Sequence, residues 1–275
     1  MLKKIFSFTL IEHTAFSLPL IFAGAWMGAE GRWPPFAVLL LIVVAAVGAR
    51  IFGISFNRIF DRHIDALNPR TANRELPAGA IDLLTALIIA FCGLIIYLAA
   101  CIALGRWCLW LSPLPLIVLL GYSLLKHFTC LCHFGIGLCL ALAPLGAYVA
   151  AAGHPGFTPA VFLFSGFVFF WLSGADIIYA IMDIDSDRQT GIQGIPARLG
   201  AHGAMWTAAA VHSLALVCLI VLIKISGGGV TALAAFGLTL MMFALMYVPH
   251  VPVARRFFPI STLAGAAGSI IPLLI

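Results

Sequence analysis

Two groups of side chains in this sequence are spaced so that they can act together. Asn57, Asp61 and Asp65 recur at every fourth residue in "NRIFDRHID", and Asp176, Tyr179, Asp183 and Asp187 recur at intervals of three and four in "DIIYAIMDIDSD". On an α-helix, residues four apart share a face and lie about 6 Å apart along the axis. Each group therefore predicts one polar stripe, with Asp185 pointing away from the second. Carboxylates crowded beside long apolar runs repel one another and are costly to desolvate unless a positive charge sits between them. Mg2+ suits that place, because it takes oxygen ligands and is usually held by one or two carboxylates together with substrate phosphate oxygens. Two facing aspartate pairs could hold two such ions with a diphosphate bridging them.

The two groups also echo one another. Asp183 follows Asp61, and Asp187 follows Asp65, by the same 122 positions. Each pair leads into a basic loop containing proline, "NPRTANRELPAG" and "RQTGIQGIPARLG". Matching spacing and matching loops point to one shared site. Arg70, Arg74, Lys126, Arg188 and Arg198 fall on the same side of the chain's apolar runs and are placed to complete an anion site. Arg50 lies seven residues before Asn57 and shares its helix face. An arginine so deep in an apolar run needs an anion or a polar cavity. It has two readings: a fixed pair with an acid such as Glu12 or Asp176, or a contact to a substrate carboxylate.

The elements that must position these residues are membrane helices. The chain of 275 residues is 63% hydrophobic and only 9% charged, and its mean hydropathy of +1.13 excludes a soluble globular protein. Apolar runs of about 20 residues recur throughout, the length that crosses a bilayer as a helix, and no alternating strand pattern suggests a barrel. Nine spans are predicted, near 14–29, 35–56, 81–104, 107–125, 132–152, 158–182, 203–223, 230–248 and 257–275. The expectation is one all-α polytopic domain over 1–275. Lys3 and Lys4 before an apolar segment imitate a signal peptide. Glu12 and His13 interrupt it and no small-residue cleavage site follows, so it reads as a retained first helix. With the N-terminus on the cytoplasmic side, eleven Lys and Arg residues collect there against three opposite, which orients both aspartate groups and both long polar loops toward the cytoplasm.

Other features carry less. The seven cysteines contain no CxxC pair and read as small buried hydrophobes. In "HFTCLCHF", His127, Cys130, Cys132 and His133 lack standard zinc spacing and read as helix-terminus residues. A proton- or cation-coupled transporter is the non-enzymatic rival, but transport acids usually lie near the midplane on broken helices, whereas these acids lie at span ends beside basic loops. The DG…AR series that clustered aspartates need in the CDP-alcohol phosphotransferases is absent.

These motifs resemble the UbiA superfamily of intramembrane aromatic prenyltransferases, whose pattern is NxxxDxxxD after the second helix and DxxxD after the sixth. "NRIFDRHID" and "DIDSD" fit it, as do the flanking "NPRTANRELPAG", "YSLLKHFT" and "GIPARLG", so the resemblance covers nearly the whole chain. It implies a nine-helix bundle around a central cavity open to lipid. It implies a polyprenyl diphosphate bound through Mg2+, with two ions bridged by the diphosphate, and an aromatic acid as acceptor. By resemblance Asn57, Asp61, Asp65, Asp183 and Asp187 are the metal–diphosphate ligands, with the four aspartates as the catalytic set. Arg70, Lys126 and Arg188 are diphosphate contacts, and Asp176 and Tyr179 line the cavity. His127 departs from the pattern, since many members carry an arginine there. The segments "EHTAFSLP", "HFGIGLCLALAPLGA" and "DIIYA" look more like the branch associated with menaquinone made through the futalosine route, with 1,4-dihydroxy-6-naphthoate as acceptor. 4-Hydroxybenzoate, the acceptor of ubiquinone synthesis, is the alternative. A lipid bilayer is the implied setting, in the cell (inner) membrane, and no nucleic-acid partner is expected.

Overall fold

The computed structural model describes residues 2–9 and 14–275, and no strand occurs among them. The helices are α1 (Leu2–Thr9), α2 (Thr14–Gly28), α3 (Phe36–Leu67), α4 (Leu83–Leu104), α5 (Arg106–Leu111), α6 (Pro113–Leu125), α7 (Cys132–Ala152), α8 (Pro159–Tyr179), α9 (Ile184–Thr190), α10 (Ile195–Ile225), α11 (Val230–Met246), α12 (Val253–Arg255) and α13 (Thr262–Ile270). Six stretches are long and apolar enough to cross a bilayer: 36–67, 83–104, 106–125, 132–152, 159–190 and 195–225. Two shorter apolar helices, Ser17–Gly28 and Val230–Met246, accompany them. The chain is thus an all-helical, multi-pass membrane protein. A backbone inside lipid must satisfy its own polar groups, and helices do so within one segment.

The ninth predicted span is not one continuous helix. It is divided into a wide turn over Arg256–Ser261, α13, and a tight turn over Ile271–Leu273. Pro259 and Pro272 fall in those turns, and proline has no N–H to continue a helical ladder. The sixth span also changes character at its end. After Tyr179 the chain tightens into a 3-10 turn, Ala180–Asp183, before α9 resumes, so the second aspartate group does not ride on one regular helix as expected. The seventh starts earlier than predicted, at Ile195, with a kink at Gly200, whose φ of 71° favours glycine.

The core forms around α8. Phe164, Phe167 and Trp171 are fully buried there, against Leu219 and Leu222 of α10 and Met246 of α11. Glycines make the approach of α13 possible. A Cβ at Gly265 would lie 2.1 Å from the Trp171 ring, and one at Gly268 would lie 2.2 Å from the Phe167 ring. Close approach at small residues is the usual way membrane helices gain packing energy, since lipid supplies no hydrophobic drive between them.

The segment after Lys3 and Lys4, expected to be part of one retained first helix, holds α1 as an element apart from α2. Its Phe8 is fully buried against Ile59 and Ile81 and lies under the Arg58 guanidinium, 5.4 Å from ring centroid to Cζ. Arg58 in turn forms an ion pair with Glu75 in the loop after α3. Burial acts to raise the Glu75 pKa. Hydrogen bonds from Ser7 and its own backbone, with the Arg58 charge, outweigh burial and hold the carboxyl below its ordinary 4.5. A carboxyl depressed in the folded state contributes stability above its unfolded pKa and loses it as pH falls through the folded one. Wild-type melting temperature is therefore expected to drop on acidification below about pH 4.5. Glu75→Gln, which strands Arg58, is expected to cost about 3 kcal/mol at neutral pH and to flatten the acid slope in a detergent thermal melt. An unchanged slope in the variant would remove Glu75 from the account.

Candidate functional site

The end of α3 and the end of α8 meet. Asp183 Oδ1 accepts hydrogen bonds from Asn68 Nδ2 and Arg70 Nε, both at 2.8 Å, and its Oδ2 accepts from Arg70 Nη2 at 2.6 Å. Both partners belong to the loop that follows the first aspartate group, so the two groups share one locus, as the repeat predicts. The loop is pre-shaped for this. Asn68 caps the end of α3, and its side-chain oxygen accepts the Arg70 backbone N–H at 2.9 Å, a turn that asparagine before proline favours. Asn68 was not singled out from the sequence. Its turn signal was visible, but its long-range partner was not.

Two of the remaining acids are each matched with a cation. Asp65 takes both its oxygens to Arg74 Nη1, at 2.9 and 2.8 Å. Asp61 Oδ2 lies 2.5 Å from Lys126 Nζ and accepts from Asn57 Nδ2 at 3.0 Å, and Asn57 also donates to Ser123 Oγ at 3.2 Å. Asp187 lies within electrostatic reach of Asp183, Lys126, His133 and Arg70. Asp185 is exposed, pointing away as expected. Burial acts to lower the Arg70 pKa, but its bonds to Asp183 and the proximity of Tyr179 outweigh that and hold it above its ordinary value.

Among the described residues no three His, Cys, Asp or Glu side chains converge as a ready metal centre. The expected ligands are instead spread along a chain of alternating charge, because Arg70, Arg74 and Lys126 occupy the spaces between them. The donor set nevertheless fits a hard divalent cation. It is made of carboxylate oxygens, and one of them, Asp61 Oδ1, is buried with no hydrogen-bond partner. A buried acceptor left unpaired in a native structure marks a place where another group belongs.

Behind the charged end lies a cavity of about 680 Å3, lined chiefly by aliphatic and aromatic side chains of α3 and of α5 to α8. Asn57, Arg74 and Tyr179 belong both to its wall and to the charge cluster. Tyr179 is held from two sides: Arg70 Nη1 donates to its hydroxyl at 3.0 Å, and Phe257 packs on its ring at 4.5 Å between centroids. Phe257 and Phe258 both reach the cavity wall because Phe258 adopts extended backbone angles, φ −123° and ψ 123°. Neither was foreseen, since a continuous helix would have sent consecutive residues in different directions.

Arg50 faces the cavity, where its Nη2 donates to Ser17 Oγ at 2.8 Å. Neither acid proposed for it is its partner in the described contacts. Asp176 is bound to His133 Nδ1 at 2.7 Å, and Glu12 lies outside the described residues. Arg188 is not drawn into the charge chain. Its Nε donates to the Ala197 carbonyl at 2.8 Å, tying α9 to α10. Arg198 is likewise used locally, on Gln193 Oε1, while the Gln193 N–H holds the Lys126 carbonyl at 2.8 Å.

Comparison with known proteins agrees with this architecture. Residues 17–273 match the model described as the UbiA prenyltransferase family. The apo structure of a UbiA homolog from Aeropyrum pernix K1 superimposes with a TM-score of 0.82 and 36% identity, over 95% of this chain and 96% of that one. A UbiA homolog from Archaeoglobus fulgidus bound to GPP and Mg2+ superimposes with a TM-score of 0.65 at 17% identity, over 98% and 99%, a likeness of fold alone. A 4-hydroxybenzoate octaprenyltransferase from Tolumonas auensis is 27% identical over 183 residues, 66% of this chain and 63% of that protein. Its counterpart from Aliivibrio salmonicida is 28% identical over 205 residues, 72% and 70%. The chain thus aligns with less than two thirds of the first of these relatives.

Proposed function

We propose, because the chain belongs to the UbiA prenyltransferase family, that it moves a polyprenyl group from a polyprenyl diphosphate to a hydroxylated aromatic acid within the membrane. The observation that carries this reading is the bond of Asp183 to Asn68 and Arg70, which gathers two aspartate groups and their cations at the mouth of an apolar cavity. A diphosphate belongs at the charged end and a prenyl tail in the cavity. Asn57, Asp61, Asp65, Asp183 and Asp187 would hold divalent cations, two in the reading favoured here. When bound, Mg2+ supplies positive charge against the diphosphate as the allylic C–O bond breaks. The Archaeoglobus homolog's complex with GPP and Mg2+ supports that choice of ligands.

The chain's own side chains supply the rest. Arg70 and Lys126, now on Asp183 and Asp61, can turn to diphosphate oxygens, whose charge they match as well as they match carboxylates. Arg188 keeps its guanidinium Nη atoms for the same use. The aliphatic walls exclude water that would quench an allylic cation. Arg50 suits the carboxylate of the aromatic acceptor, with Asp176 and Tyr179 in the same wall. The positive-inside count supports a charged end facing the cytoplasm, in the cell's inner membrane.

Two acceptors are in question. The relatives are named for 4-hydroxybenzoate, and they lend no support to the lean toward 1,4-dihydroxy-6-naphthoate. The deciding assay offers membranes containing the protein a polyprenyl diphosphate and Mg2+ with each acid in turn, reads prenylated product by mass spectrometry, and uses EDTA as control. Product from one acid alone assigns the acceptor, and no EDTA-sensitive product from either refutes the transfer reading. In the same assay Arg50→Ala is expected to raise the acceptor KM ~10- to 100-fold with kcat changed little, as loss of a charge-assisted contact to bound acceptor does. An unchanged acceptor KM with a lowered melting temperature assigns Arg50 to structure instead.

A further inference from the structure

His133 stands in the first turn of α7 with 3% of its surface exposed. Its two ring nitrogens have different partners. Nδ1 lies 2.7 Å from Asp176 Oδ2 on α8, and Nε2 lies 3.2 Å from the backbone nitrogen of Ile195, the first residue of α10. A backbone N–H can only donate, so Nε2 is the acceptor and the ring proton resides on Nδ1. His133 thus donates from Nδ1 to the Asp176 carboxylate. The Ile195 N–H is one of the donors that every helix start leaves unsatisfied, and it fixes the tautomer from behind. This is the relay by which a histidine, set by the hydrogen bond on one nitrogen, orients what the other nitrogen holds.

What His133 orients is part of the cavity wall. Asp176 lines the cavity, and its side chain keeps 24% exposure while His133 is closed off from it by burial. With Oδ2 committed to His133, Oδ1 is the oxygen left for an occupant. Arg50 and Tyr179 line the same cavity. We infer that His133 is a positioning residue that presents Asp176 as a fixed hydrogen-bond acceptor to the hydroxyl of the aromatic substrate, an inference that rests on the prenyl-transfer reading above. One carboxylate aimed at a hydroxyl and one guanidinium aimed at a carboxylate would together read both polar groups of a hydroxylated aromatic acid.

Two near-isosteric substitutions separate this role from helix capping. Asparagine places its amide near Nδ1 and can still donate to Asp176, and glutamine places its amide near Nε2 and can still accept from Ile195. His133→Asn is expected to keep kcat/KM for the acceptor within ~5-fold of wild type, whereas His133→Gln and His133→Ala lose ~10- to 100-fold, the scale of a misplaced substrate-orienting group. The KM for prenyl diphosphate is expected to stay unchanged in all three, and His133→Ala is expected to add no further loss to Asp176→Asn. Melting temperatures measured in parallel identify a variant that fails to fold, and the Asn and Gln forms then decide. The opposite order, with Gln active and Asn impaired, overturns the inference and makes His133 a cap for α10. Equal losses with a raised prenyl diphosphate KM overturn it as well. Absence of turnover in wild type too, with every acceptor, overturns the transfer reading itself, and the inference with it.

Discussion

Asp183→Ala is expected to abolish prenyl transfer, by at least ~1,000-fold in kcat/KM, while leaving the protein folded in detergent. The magnitude follows from losing preorganised charge in a site that excludes water, where one group can carry a factor of ~100 to 1,000, and from what Asp183 does here beyond that. It accepts three hydrogen bonds, from Asn68 and twice from Arg70, and so joins the loop after α3 to the turn after α8. Its loss removes a proposed metal ligand and also releases Arg70 and the buried Asn68. The cost in stability is smaller, about 1–3 kcal/mol for a buried amide left unpaired, because Arg70 is a third exposed and water can replace its partner. Asp183→Asn separates the two effects. It keeps a carbonyl oxygen for Asn68 and much of the fold, but it removes the charge, so turnover is still expected to be lost. Turnover within a few fold of wild type in the Ala form would end the assignment of Asp183 to the site, and melting curves of both variants distinguish a dead enzyme from an unfolded one.

That Asp183 could be named at all came from short-range regularity. A period of four at the end of an apolar run defines a helix face without any structure, and the same 122-residue offset for two pairs needs no alignment to be seen. The membrane class was equally plain, because spans of about 20 apolar residues have few other uses. What stayed hidden depends on contacts distant in sequence. Nothing local pairs Lys126 with Asp61 or His133 with Asp176; those partners are chosen by packing of α3, α6, α7 and α8. Local pattern also misled in two places. The stretch from Asp176 to Asp187 looks like one helix, but it breaks into a 3-10 turn at Ala180–Asp183, and that break puts Asp183 within reach of Asn68 and Arg70. The last apolar run has the length of a span, yet Pro259 and Pro272 divide it, and the division brings Phe257 and Phe258 to the cavity. In both cases the departure from regular helix lies at the candidate site, where a rigid scaffold most needs to aim side chains out of register.

The pairing of acids with cations leads to a second large expected effect, at Lys126. Its ammonium is 2.5 Å from Asp61 Oδ2, Asp61 is 3% exposed, and Oδ1 already lacks a partner. Lys126→Met keeps most of the aliphatic stem and removes the charge, leaving a buried carboxylate without its counter-ion. Breaking such a pair from one side costs about 3–5 kcal/mol, so the variant is expected to melt well below wild type when divalent cations are chelated. Added Mg2+ is then expected to raise its melting temperature more than it raises that of wild type, because ligand binding to the folded state stabilises it by mass action and in wild type Lys126 competes for the same oxygens. Turnover is expected to fall ~100-fold in the variant even with saturating Mg2+, since a cation proposed for the diphosphate is gone. The double variant Asp61→Asn/Lys126→Met closes the cycle: with both charges removed it is expected to recover part of the stability and to lose the extra response to Mg2+. An equal Mg2+ shift in wild type and Lys126→Met would place the metal away from Asp61. A larger shift in the single variant that disappears in the double one would locate a divalent cation at that buried oxygen in the absence of any substrate.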